Sequence, residues 1–257
     1  MLSSILSEYN FKQQVANDVG TDEKYVAPDN LATQNNLDRI ADWTVNNKMK
    51  LNEAKSNYMV FSRSDTEFAT RLSLNNKKID RIEEIKLVGV WLTTWLDWDK
   101  NTREICRKGY ARMTMLTKLK YVGICTADLI DVYILYIRSL LEYCSVVWHS
   151  TLTVEQAQNL ENVQKLSLKI ILGPSYTSYS QALEVTGLDR LELRRENRCL
   201  QFGLKSLLHP VHSKLFPVNP EILTTTHNTR DKEYFLVNKA KSESYRMSLL
   251  FHTFREC

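Results

Sequence analysis

The chain is poor in the residues that dominate turn-rich and disulfide-rich proteins. Of its 257 residues, 7 are glycine and 5 are proline, which argues against a collagen-like, linker-like or many-turned all-β protein. Its 5 cysteines are odd in number and widely spaced, with no Cys-x-x-Cys pair. We therefore expect neither a disulfide framework nor a structural zinc site. This cysteine usage favours a reducing, intracellular location in the cytoplasm or the nucleus.

A long uncharged apolar run is also missing. The segment from Leu129 to Trp148 is rich in Ile, Leu, Val and Tyr, but it contains Asp131, Arg138 and Glu142. A charged residue at the centre of a membrane helix costs about 2.5–3.5 kcal/mol on insertion scales. We therefore expect no membrane association and predict one long buried helix over residues 127–148.

The sequence has none of the familiar catalytic or phosphate-binding motifs. It contains no Gly-x-x-x-x-Gly-Lys, no Gly-x-Gly-x-x-Gly, no His-Glu-x-x-His and no adjacent Asp-Asp pair. Phosphoryl transfer by two metal ions needs clustered carboxylates that hold the cations about 3.5–4 Å apart. The nearest approach is Asp97-x-Asp99, which we interpret as a strand-to-helix turn with Asp99 capping the helix. We therefore predict no catalytic residue, no metal site and no cofactor in this chain.

The hydrophobic pattern up to Trp98 indicates a small β-rich unit with one helix. The helix is expected over residues 33–49 and a short strand over residues 58–61. The Asn75-Asn76 pair suits a tight hairpin turn, because asparagine tolerates positive φ. The apolar residues 85–92 are typical of one further strand.

After Trp98 the pattern becomes helical. A helix is expected from Asp99 or Asn101 to about Lys120, and others near residues 181–185 and 193–207. Thr153 and Gln156 match a capping box, and Gly173-Pro174 is a helix stop. The fold class is therefore α+β and mainly α. We divide the chain into residues 1–98, a helical domain 99–210, and a linker and tail over 211–257.

Basic residues are in excess only in the C-terminal part, since residues 1–100 have slightly more acidic than basic side chains. Two groups on predicted helices could bind phosphates. The first group is Arg103, Arg107, Lys108 and Arg112, with Tyr110 or Tyr121 as a stacking surface. The second is Arg190, Arg194 and Arg198. For both groups the alternative is a solvated helix face, which Glu192 and Glu196 favour in the second.

An ordered series of short segments resembles the region after the catalytic strand in non-LTR retrotransposon reverse transcriptases of the jockey-like, LINE-type kind. The resemblance extends over roughly residues 30–250. The segments that carry it are Asn35–Trp43, Asn47–Asn52 with Lys55, Met59–Phe61, Lys86–Val90, Leu135-Tyr136, Leu141–Trp148, Leu160–Lys165, Leu191 with Arg194-Arg195, and Asn228–Arg230.

The resemblance implies an RNA-directed DNA polymerase fragment: a small β-hairpin remnant of the palm followed by a helical, thumb-like bundle. In that family the position of Lys55 lies near the phosphates of the incoming nucleotide, where a cation assists the leaving group. Leu87, Val88 and Gly89 match the turn that grips the primer. The first thumb helix, with Arg103 and Arg107, would face the RNA or DNA template–primer duplex.

The family's Tyr-x-Asp-Asp signature, whose carboxylates bind Mg²⁺ in the complete enzyme, is missing from the expected position. The segment Tyr25–Asp29 lacks the paired Asp. We therefore expect a truncated reading frame that starts at an internal Met, inactive alone, with residual template–primer binding and the missing N-terminal part of the polymerase as a partner. The alternative is a helical protein–protein interaction module without a nucleic-acid role.

Overall fold

The computed structural model describes residues 11–15, 18–22, 31–61 and 72–209. The chain forms two compact units, and the division between them falls after Asp97. Helices dominate the described residues and the strands are short, so the predicted α+β, mainly α class is confirmed. The linker and tail predicted over residues 211–257 lie outside the described residues.

The N-terminal unit consists of one helix and several two-stranded pairings. Its elements are β1 (Phe11–Val15), β2 (Asp18–Asp22), α1 (Leu31–Asn46), a 3₁₀ turn (Glu53–Lys55), β3 (Asn57–Tyr58), β4 (Ser73–Leu74), β5 (Lys77–Lys78), β6 (Asp80–Arg81), β7 (Glu84–Leu87) and β8 (Val90–Thr93). The pairs β1–β2, β4–β5 and β7–β8 are antiparallel, whereas β3 runs parallel to β6.

A small apolar cluster joins α1 to the β4–β5 hairpin. Leu72, Leu74 and Ile79 are buried and pack against partly buried residues that include Leu37 of α1. The Gln34 side chain acts as a clamp at this contact, since its Nε2 donates to the Ser73 carbonyl at 2.8 Å and its Oε1 accepts from the Ser73 N–H at 2.9 Å. These bonds satisfy an edge-strand backbone that would otherwise be unpaired.

The C-terminal unit is helical. Its elements are α2 (Asp99–Tyr121), α3 (Thr126–Val132), a π-helical segment (Tyr133–Arg138), α4 (Ser139–Leu141), α5 (Ser145–Trp148), α6 (Val154–Leu172), α7 (Tyr179–Thr186) and α8 (Leu191–Leu208). The core contains fully buried side chains from several of these helices, namely Leu116, Leu129, Ile137, Leu160, Leu168 and Leu191. Burying each of these side chains stabilises the helical unit by about 1.5–3 kcal/mol.

Several sequence predictions about local structure are confirmed. The Asn75-Asn76 turn forms, with φ of 50° and 62° at its two residues. The capping box at Thr153 and Gln156 is present in both directions, and α6 ends at Gly173 with φ of 56°. Helices α1, α2 and α7 lie within a few residues of their predicted positions.

The single helix predicted over residues 127–148 is wrong. The segment starts as α3, widens into a π-helix at Tyr133–Arg138, and breaks at Cys144, which adopts a left-handed conformation with φ of 50°. The predicted strand over residues 85–92 is likewise two strands, β7 and β8, joined by a turn at Val88 and Gly89. Apolar periodicity does not reveal either interruption, because apolar residues lie on both sides of each break.

The apolar spacing of α8 also misleads about which side is buried. Leu193 and Leu204, two of the leucines that predicted this helix, are 49% and 48% exposed. The buried side of α8 instead carries Leu191, Arg195 and Cys199. Within the described residues, no helix combines the length and the apolar character needed to cross a membrane.

Candidate nucleic-acid interface on helix α2

Helix α2 is fixed at both ends by polar contacts. Trp98 precedes its first residue and donates from Nε1 to the Thr151 hydroxyl at 2.7 Å. Asp99 does not cap the helix, contrary to the sequence interpretation; it lies in the first turn and accepts a hydrogen bond from Gln156 at 3.1 Å. At the other end the Lys120 ammonium donates to the Ile171 carbonyl at 2.8 Å.

The inner side of α2 packs closely on α6. Its buried residues include Ile105, Met113 and Leu116. At the crossing, Gly109 faces the fully buried Val163, and a Cβ atom at Gly109 would lie only 2.8 Å from Val163 Cγ1. The absence of a side chain at Gly109 therefore allows the two helices to approach.

The opposite side of α2 is exposed, basic and aromatic. We define the α2 outer face by the exposed residues that recur three or four positions apart, namely Arg103, Arg107, Tyr110, Thr114, Lys118 and Tyr121. Residues at this spacing form one line along a helix. Tyr121 is 93% exposed and Tyr110 is 43% exposed, so both rings are accessible for stacking.

The two arginines of the α2 outer face are held in local ion pairs. Arg103 contacts Asp99 at 3.1 Å, and Arg107 contacts Glu104 through both Nε and Nη2, the latter at 2.9 Å. The pKa of Asp99 is lowered, first by its hydrogen bond from Gln156 and then by Arg103. Exposed ion pairs of this kind are weak, so a phosphate can compete for either guanidinium.

Lys108 and Arg112 do not belong to this face. Arg112 is nine residues after Arg103, which is about two and a half turns and places it on the opposite side of the helix. Its guanidinium donates to the Tyr136 carbonyl and lies 4.4 Å from the centroid of the Tyr136 ring. Lys108 is half-buried. The structure thus brings together Arg103 and Arg107 of the predicted group, and assigns Arg112 to packing against the π-helical segment.

The residues matched to the palm lie in the N-terminal unit. Lys55 is exposed at the end of the 3₁₀ turn. The Glu53 carboxylate of the same turn is bound by Lys77 at 2.8 Å and by Asn75 at 3.0 Å. A groove of about 560 Å³ is lined by Lys50, Glu53, Lys77, Lys78 and Asp80, among others, and Lys55 is not part of it.

The predicted primer-gripping residues form a tight two-residue turn. Leu87 pairs with Val90 at the end of the β7–β8 ladder, and Val88 and Gly89 have φ of 48° and 87°. Two positive φ values in succession give the turn whose twist matches a hairpin. Valine seldom adopts this conformation, because its branched Cβ clashes with the backbone. The half-exposed Val88 is therefore presented at the tip at a cost in backbone strain.

Sequence analysis predicted Arg190, Arg194 and Arg198 as one stripe but missed that Arg194 and Arg198 converge on Glu142. This carboxylate is only 2% exposed and is reached by Arg194 at 2.6 Å and Arg198 at 3.0 Å. The third member of that predicted stripe, Arg190, lies at the N-terminal end of α8, where it lines a small pocket together with Glu161 and Tyr179. The sequence feature that could have revealed these ion pairs is Glu142 itself, because a carboxylate in an apolar helix requires a charged partner when it is buried.

The described residues do not fit a two-magnesium centre. No group of three or more His, Cys, Asp or Glu side chains within them is placed to hold a metal ion, and Glu53, the acidic residue nearest Lys55 in sequence, is engaged by Lys77 and Asn75.

Comparison of the chain with protein-family models, with curated proteins and with solved structures finds no match.

Proposed function

We propose that this chain is a palm-and-thumb portion of a non-LTR retrotransposon reverse transcriptase that binds template–primer duplex and does not itself join nucleotides. The observation that carries the proposal is the α2 outer face, which aligns cations with exposed aromatic rings. The residue series that resembles this family supports it from the sequence. Under this proposal the chain works inside the cell, in the cytoplasm or the nucleus.

The physical basis is neutralisation of backbone phosphates. Arg103, Arg107 and Lys118 place three cations on one side of α2, and each phosphate contact releases condensed counterions from the nucleic acid. Tyr110 and Tyr121 add flat surfaces for bases or sugars at the same face. Binding of this type depends little on sequence and strongly on salt.

A filter-binding assay with an RNA–DNA duplex tests the binding. The double variant Arg103→Gln/Arg107→Gln is expected to lower the slope of log affinity against log salt by about 2, because two phosphate contacts are lost. The matched control, Lys169→Gln/Lys205→Gln, removes the same charge from exposed positions on α6 and α8 and is expected to keep the full slope. Equal losses in both variants would contradict a role for this face.

Primer extension with magnesium tests the second half of the proposal. The purified chain is expected to give no templated product, because the sequence has no paired aspartates to bind the two cations. A partner that carries the Asp pair, namely the remainder of a polymerase, is expected to be required for synthesis. Templated product from this chain alone would overturn the proposal that it is catalytically silent.

A helical protein–protein interaction module is the second candidate function. The exposed Leu193 and Leu204 on α8 favour it, since they lie eleven residues apart and share one side of the helix. Under this alternative, duplex retention at low salt is absent or is indifferent to substitution of Arg103 and Arg107. The same filter-binding experiment therefore separates the two candidates.

A further inference from the structure

The break between α4 and α5 brings two arginines to one carboxylate, and a third arginine lies one helical turn before it. Glu142 lies immediately after α4, and its two oxygens are taken by Arg194 and Arg198 of α8. Arg198 also donates to the Glu142 backbone carbonyl at 3.4 Å. Arg138, at the end of the π-helical segment, is half-buried, and its carbonyl accepts a hydrogen bond from the Glu142 N–H at 3.0 Å. The charges of Glu142, Arg194 and Arg198 all act on its guanidinium. We call Arg138, Arg194 and Arg198 the arginine cluster.

The positive charge of the arginine cluster exceeds the negative charge beside it. Glu142 is the only buried carboxylate that pairs with it among the described residues, and Asp189 approaches Arg194 only at 4.0 Å with its own side chain 63% exposed. No carboxylate of the described residues pairs directly with Arg138. The pKa of Arg138 is lowered, first by burial and then by the positive charge of Arg194, as expected where like charges are crowded.

The cluster is open to solvent on one side. The side chains of Arg194 and Arg198 are 27% and 48% exposed, whereas Glu142 is 2% exposed beneath them. A guanidinium has five donors in a planar fork, of which the bonds to Glu142 use a minority. The remaining donors suit a tetrahedral oxyanion, which arginine binds bidentately.

We propose that Arg138, Arg194 and Arg198 form an anion site for a phosphate group, held across the α4–α5 break and independent of the α2 outer face. Glu142 orients two of the three guanidiniums, and the incoming phosphate supplies the negative charge that the cluster lacks. The ligand is either inorganic phosphate or a phosphodiester of a nucleic acid, which share the same oxygens and charge.

Thermal unfolding of the full chain in increasing inorganic phosphate, with chloride adjusted to constant ionic strength, tests this site. Bound phosphate stabilises the folded state by mass action, and we expect the unfolding midpoint to rise by about 2–4 °C. Arg138→Gln is expected to abolish most of the rise, because it removes the arginine that lacks a carboxylate. Lys169→Gln, at an exposed position on α6 outside both basic groups, is the matched control and is expected to keep it.

Two results would overturn the proposal: no rise in the unaltered chain, or a full rise in Arg138→Gln. If Arg138→Gln loses helix content by circular dichroism, Arg138→Lys replaces it, since lysine keeps the charge but not the bidentate fork. Its rise must then be smaller than that of the unaltered chain, and an equal rise contradicts the site. Repeating the titration with a short oligothymidylate identifies the source, because an Arg138-dependent rise there points to a phosphodiester.

Discussion

Buried thiols illustrate how the position of a single residue sets its chemistry. Cys106 on α2 and Cys199 on α8 are 8% and 1% exposed. Burial raises the pKa of each thiol from 9.0 to about 11, although the charge of Arg195 acts in the opposite direction. Cys125, by contrast, is exposed at the start of α3. We infer that Cys106 and Cys199 are core residues and not nucleophiles.

The raised thiol pKa values predict how stability depends on pH. The contribution of each buried thiol is fully present below pH 9 and is lost as pH rises from 9.0 towards 11, because the unfolded chain releases its protons first. We expect each thiol to lower the free energy of unfolding by about 2 kcal/mol at pH 11. Urea unfolding at a series of pH values measures this loss.

The matched variants for this experiment are Cys199→Ala and Cys125→Ala. The first is expected to reduce the alkaline loss of stability, because it removes a buried titrating group. The second keeps both buried thiols, so the alkaline loss is expected to remain. An identical pH dependence in both variants would show that the buried thiol is not responsible.

Glu142 is a residue whose partners could not be predicted from the sequence. Its presence in an apolar segment was evident, but its partners Arg194 and Arg198 lie 52 and 56 residues later. A long-range ion pair of this kind is a tertiary contact that no local pattern encodes. The same contact explains why the stripe predicted on α8 is not a plain solvated face, since Arg194 and Arg198 converge on Glu142.

At the scale of elements, local signals predicted helix ends and turns well. The capping box of α6, its glycine stop and the Asn75-Asn76 turn depend on backbone groups within a few residues of each other. The π-helical segment depends instead on tertiary contacts, among them the bond from Arg112 to the Tyr136 carbonyl. The turn at Val88 was not predicted for a different reason: Val88 has positive φ, which valine rarely adopts.

The close contact between α2 and α6 predicts that a substitution which normally stabilises a helix will destabilise this one. Glycine to alanine in the middle of a helix normally stabilises by about 1 kcal/mol. We expect Gly109→Ala to destabilise the folded chain by about 1–3 kcal/mol, because the new Cβ would lie 2.8 Å from Val163 Cγ1. Urea unfolding provides the measurement. Thr114→Ala, on the exposed side of the same helix, is the control and is expected to change stability little.

The clash at Gly109 can also be relieved from the other side. In a Val163→Ala background the added methyl has room, so Gly109→Ala should cost less there than in the unaltered chain. A cost that is the same in both backgrounds would contradict the close contact between these two helices.

At the scale of the whole molecule, the two units differ in how much core each contains. The helical unit buries several large side chains completely, such as Leu116, Leu129 and Trp148. The N-terminal unit has a smaller described cluster around Leu72, Leu74 and Ile79. Because stability increases with the apolar surface that is buried, the helical unit is better able to fold independently than the N-terminal unit.

We expect a chain of residues 98–257 to fold without the N-terminal unit. It should show helical circular dichroism, unfold cooperatively in urea, and retain the salt-dependent binding of an RNA–DNA duplex, because the α2 outer face lies wholly within it. The corresponding chain of residues 1–97 is the comparison and is expected not to retain the duplex. Loss of cooperative unfolding in the longer piece would mean that the helical core needs the other unit.

The length of α2 defines how much nucleic acid can lie along it. From Arg103 to Tyr121 the helix advances by about 27 Å at its standard rise per residue. One strand of a duplex covers that length with about eight nucleotides at 3.4 Å each. Oligonucleotides shorter than this cannot reach both ends at once, so affinity should climb with length up to roughly one turn of duplex and then level off.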